Sequence, residues 1–144
     1  MDPFARKMWY FGIGFAASLI ILVVGLKFFT MHLWPKCPDR VIGEADSPGH
    51  DWVAAILERR CGPEDPFFAR VNLRRAGPLK TGFLNGQVQQ GTVFTVEQDA
   101  TGAGINLVWS GPDTLTIRCP HCAVDLVRQR DQRWGPVKIQ YEMP

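Results

Sequence analysis

Residues 8–26 read MWYFGIGFAASLIILVVGL, nineteen consecutive residues without a charged side chain. Wound as a helix at 1.5 Å per residue, they would span roughly 28 Å, about the thickness of a bilayer's hydrocarbon core. The apolar run of a cleaved signal peptide is shorter, about 7–15 residues, and ends in small residues. Here the run continues into KFFTMHLWPKC, which is bulky where a peptidase or a lipidation enzyme needs small side chains. Nothing downstream is apolar enough to wrap such a helix on all sides. The expectation is an uncleaved transmembrane anchor over residues 8–29, with Trp9 and Tyr10 at one interface and Phe28, Phe29 and Trp34 at the other. Residues 1–7 then form a short N-terminal tail, 30–46 a linker and 47–144 a domain.

The formal net charge of +2 conceals two regions. Residues 1–36 carry Arg6, Lys7, Lys27 and Lys36 against Asp2, whereas residues 37–144 are close to neutral. A domain without a Lys/Arg stripe offers nucleic acid no electrostatic footprint, so no nucleic-acid partner is expected. Arg6, Lys7 and the amino terminus favour a cytoplasmic N-terminus. All four cysteines lie beyond the apolar run, as suits a compartment where disulfides persist. Together these place the domain outside the cytoplasm, in the periplasm of a Gram-negative cell, on an inner-membrane anchor. Within the anchor, Gly12 with Ala16 and Gly14 with Ser18 set small residues one turn apart, a spacing through which two anchor helices could pair as a homodimer.

Beyond a Pro/Gly-rich stretch at 30–50, the chain reads as short apolar runs separated by turn residues. In FFARVNL, Phe67, Ala69, Val71 and Leu73 share one face and Arg70 and Asn72 the other. INLVW groups Ile105, Leu107 and Trp109; LTIR turns Leu115 and Ile117 inward; VKIQY aligns Val137, Ile139 and Tyr141. GTVFTVE and VDLV are further strand candidates. Strands at this spacing predict a small all-β antiparallel sandwich or partly open barrel following the single transmembrane helix. HDWVAAILERR is ambiguous. Asp51 as N-cap, Trp52, Val53, Ile56 and Leu57 at helical spacing and Gly62 as terminator favour a helix. A strand there would need apolar cover on both faces.

The stretch ADSPGHDWVAAILERRCG, soon after an anchor helix and a cysteine, resembles a loose group of small uncharacterised bacterial envelope proteins. Their pattern is an anchor, a Cys, an S-P-D-G turn, a strand ending E-R-x-C-G and a β-rich remainder. The residues that carry the resemblance are Cys37, Ser47, Pro48, Trp52, Glu58, Arg59, Cys61 and Gly62. It implies that 52–60 is a strand and the domain all-β; it implies no activity.

Compartment and cysteine parity point to a structural disulfide between Cys37 and Cys61. Cys119 and Cys122 sit in CPHC, a tetrapeptide that also occurs in thiol-disulfide oxidoreductases. A thioredoxin-like fold needs a helix, several strands and a cis-proline after the motif, and the 22 residues following Cys122 cannot supply them. Three readings stay open. The pair could clamp a hairpin tip between LTIR and AVDLV, with Pro120 at the turn. It could exchange disulfides, Cys119 attacking and Cys122 resolving. With His121 or a more distant cysteine, it could hold zinc.

His50 near Asp46, Ser47 and Asp51 has the residue types of acyl-transfer chemistry, but neighbours in one turn do not by themselves make that geometry. There is no P-loop, dinucleotide fingerprint or HExxH. RRAGPLKTGFLNGQVQQG reads as a long polar loop with an exposed GFL, either a binding loop or simply a loop. The functional expectation is a non-catalytic, cofactor-free module that binds a protein or other envelope component. Membrane-tethered thiol-disulfide exchange is the alternative, and zinc binding the third reading.

Overall fold

A computed structural model describes residues 2–33, 37–83 and 85–144. Trp34, expected at a membrane interface, Lys36 and Leu84 lie outside the described residues. The chain divides into two compact units, one up to Pro35 and one from Lys36 onward.

The first unit is a single helix, α1, over Pro3–Leu33. Pro3 suits a helix's first turn, where the missing N–H is no loss. By length and composition the helix is apolar enough to cross a membrane.

Among the described residues, the second unit has nine strands in two sheets. β1 (Arg40–Asp46), β2 (Trp52–Arg59), β3 (Phe68–Arg75), β4 (Thr92–Val96) and β7 (Val127–Arg130) form an antiparallel sheet in the order β1-β2-β3-β4-β7. β5 (Asn106–Gly111), β6 (Thr114–Arg118), β8 (Arg133–Trp134) and β9 (Val137–Glu142) form the second, in the order β5-β6-β9-β8. The two sheets do not close into a barrel. Ala54, Ile56, Ala69, Val71 and Phe94 of the first sheet share one core with Leu115, Ile117, Val137 and Ile139 of the second. The Trp109 indole N–H donates to the Ala45 carbonyl at 3.0 Å, joining β5 to β1. The alternating runs read from the sequence therefore face inward as expected.

Several elements differ from expectation. Residues 40–46, assigned to a linker, are the edge strand β1. Its side chains are mostly exposed and its register slips between Val41 and Gly43, so no period of two survives in the sequence. Residues 52–59 are a strand, as the resemblance implied and against the helical spacing. DATGAG contains a one-turn helix, α2 (Ala100–Ala103), capped by Asp99. VDLV opens as a 3-10 turn over Val124–Leu126 before β7 begins. The second sheet is mixed, because β6 and β9 run parallel. Finally, LTIR and the strand after CPHC do not form a hairpin: β6 and β7 lie in different sheets.

The ambiguity at 52–59 has a physical resolution. Ala54 and Ile56 face the inter-sheet core, while Ala55 and Leu57, both fully buried, face outward under Leu79 and Val88. The 76–91 loop thus supplies the cover that the sequence demanded for a strand. It is fixed by main-chain geometry at its end. Leu73 N–H donates to the Gly91 carbonyl at 2.7 Å, and Gly91 has φ +87° with a Cβ position only 2.1 Å from the Leu73 oxygen. Only glycine fits there.

Candidate functional site

Each group singled out in the sequence has a definite place, and most are structural. Ser47 is buried in the β1–β2 turn, where its hydroxyl accepts from Trp52 N–H at 3.1 Å. His50 is exposed with φ +58°, its Nδ1 3.8 Å from an Asp46 carboxylate oxygen. With the Ser47 hydroxyl committed to the turn, this cluster has no prepared nucleophile. Glu58 accepts from Ala100 N–H at 2.9 Å and so caps α2. Arg59 grips Asp39 with two hydrogen bonds of 3.0 Å, and Cys61 is joined to Cys37. Ser47, Glu58, Arg59, Cys37 and Cys61 thus have architectural roles.

Asp39 was not singled out by its sequence and is the most connected ionisable group of the domain. Its side chain is 0% exposed, and it receives Arg59, the Val88 N–H at 2.6 Å and an ion pair with Arg70. Burial pushes the carboxyl pKa up. The hydrogen bonds from Arg59, Val88 and Arg70, with Arg70's charge, outweigh burial and hold it below the ordinary aspartate value. A lone acid in CPDR gives no local hint of this, since its partners lie 20, 31 and 49 residues away.

Cys119 and Cys122 are joined to each other. Cys119 is 0% and Cys122 4% exposed, and both belong to the inter-sheet core. The turn is held on every side: Cys119 N–H donates to Glu142 O at 2.8 Å, His121 N–H to Ala103 O at 3.2 Å and Ala123 N–H to Gln98 Oε1 at 2.8 Å. The Ala103 carbonyl lies 3.4 Å from Cys119 Sγ, a contact rather than a hydrogen bond because a disulfide sulfur carries no proton. No helix begins at Cys119. Cys119 Sγ faces the Ala103 carbonyl oxygen rather than the helix N-terminus that activates a thiol in exchange enzymes. The pair fastens the point where the chain crosses between sheets. A Cys119→Ala/Cys122→Ala variant should fold with the same topology and lose about 2 kcal/mol; a denaturation midpoint equal to wild type would contradict this role.

Among the described residues, no group of three or more His, Cys, Asp or Glu side chains is placed to hold a metal ion. A cleft of about 700 Å³ lies between the Trp52 end of β2, the Arg75 end of β3, the 76–91 loop and Trp134 of β8. The Arg75 guanidinium stands 5.3 Å over the Trp52 ring. Asn72, Lys80, Thr81, Gln89 and Gln90 add polar groups, and the lining holds no carboxylate, histidine, cysteine or serine. The 76–91 part was legible as a loop. Trp134 carried no such signal, and only the second sheet's position brings it there. Compared with protein-family models, with characterised proteins and with solved structures, the chain gives no significant match.

Proposed function

We propose that this is a single-pass membrane protein with a cytoplasmic N-terminus. Its extracytoplasmic β-domain acts as a non-catalytic binding module at the cell envelope, alongside the small envelope proteins its sequence resembles. The observation that carries this reading is the composition of the cleft. Two tryptophans, Arg75, Lys80 and amide side chains can stack on and hydrogen-bond a ligand. The disulfides support the extracytoplasmic assignment, because such bonds persist outside the reducing cytoplasm.

Two measurements test the two halves of the reading. Acid-quenched cells, alkylated and mapped by mass spectrometry, should show Cys37–Cys61 and Cys119–Cys122 fully oxidised; four alkylated thiols would put the domain in the cytoplasm. For binding, benzoylphenylalanine at the exposed Gln89 should photo-cross-link one dominant envelope component in intact cells. Arg75→Glu and Trp134→Ala should each abolish that adduct. An adduct indifferent to both substitutions, or none at all, would remove the cleft as the binding site.

A further inference from the structure

The tip of the 76–91 loop presents an unpartnered aromatic ring. Thr81 pairs with Val88, Gly82 N–H donates to Gln87 O at 2.8 Å and Gly86 N–H to Gly82 O at 2.9 Å. These bonds close a compact tip on which Phe83 is 100% exposed. A ring held fully in water forgoes the benefit of burial unless something outside the domain covers it.

The tip is docked on one particular piece of chain. Asp39 N–H donates to the Gly86 carbonyl at 3.2 Å, and the Asp39 carboxylate accepts from Val88. A Cβ on Gly86 would stand 3.1 Å from the Pro38 side chain. Cys37, bonded to Cys61, fixes that same segment. Pro38 follows Leu33, the last residue of α1, by five positions, a length of at most about 18 Å fully extended. The tip is therefore pinned to Pro38 and Asp39. Within residues 74–91, Lys80 is an exposed cation, whereas Arg74 pairs with Glu44 and Arg75 lies over the Trp52 ring.

We infer that Phe83 makes a second membrane contact. Phe83 sits at headgroup depth in the bilayer crossed by α1, and Lys80 meets lipid phosphate. A bilayer interface accepts a single ring without a shaped pocket, favours aromatic side chains and attracts unpaired cations. Because α1 already tethers the domain, a weak contact suffices, the second attachment being intramolecular. This rests on the reading of α1 as a transmembrane anchor.

The test uses the full chain in phosphatidylglycerol nanodiscs, with benzoylphenylalanine replacing Ile21, Phe83 or Asp51 in turn. Asp51 is exposed in the β1–β2 turn, at the opposite end of those strands from the Asp39–Arg59 contact. Lipid adducts are expected at positions 21 and 83 and none at 51. Lys80→Glu should lower the yield at position 83 roughly tenfold. Adducts at 21 but not 83 would overturn the inference while leaving the anchor intact. No adduct at 21 would overturn the anchor reading itself. Equal adducts at 83 and 51, or protein adducts alone at 83, would also overturn the role given to the tip.

Discussion

Asp39→Ala should lower the stability of the β-domain by about 3–5 kcal/mol, the cost of removing one partner from a buried ionic cluster. Arg59 and Arg70 would then face each other across a covered site without their counter-charge, and Val88 N–H would lose its acceptor. Urea unfolding followed by tryptophan fluorescence reads the loss directly. A change under about 1 kcal/mol, typical of solvent-exposed pairs, would mean that water screens the cluster. The pH dependence has a defined sign. A carboxyl whose folded pKa is depressed contributes stability that is present above its unfolded pKa and lost as pH falls through the folded value. The wild-type protein should therefore lose stability on acidification below the ordinary aspartate range. Asp39→Asn, which retains shape and cannot ionise, should lose that part of the acid limb.

The second large effect is expected from Cys37→Ala/Cys61→Ala. Opening a covalent loop of 24 positions costs about 3.5 kcal/mol in the chain-entropy account. The same segment carries Asp39 two residues on, so the disulfide and the ionic cluster restrain one piece of chain twice. The combined variant, Cys37→Ala/Cys61→Ala/Asp39→Ala, should lose less than the sum of the two separate losses, because once the segment is free the second restraint has less to hold. Strict additivity in a double-mutant cycle would show that the two act independently.

What the sequence made legible follows from where apolar cover comes from. Val71 and Leu73, Leu115 and Ile117, and Val137 and Ile139 each have one buried face set by the strand's own alternation, and they were readable as strands. β2 was not, because its second face is covered by Leu79 and Val88, more than twenty residues away. β1 escaped for the opposite reason: an exposed edge with a register slip has no alternation to read. The parallel pairing of β6 with β9 and the crossing of the CPHC turn between sheets are matters of connection, to which local periodicity is blind. The candidate cleft was half legible. Its loop announced itself by composition, while Trp52 and Trp134 meet only through the packing of the two sheets.

The Cys37–Cys61 bond also decides what happens when the domain is pulled. Tension applied from the N-terminal side reaches Cys37 and passes at once through sulfur to Cys61, bypassing the whole of β1 and β2. Without that bond, β1 would unzip from β2 one hydrogen bond at a time and release about 80 Å of slack. With it, the load passes to the chain leading into β3, a strand held by neighbours on both edges. An edge that peels thus becomes an interior strand that must be sheared, and a tethered domain gains resistance to force from a single covalent link.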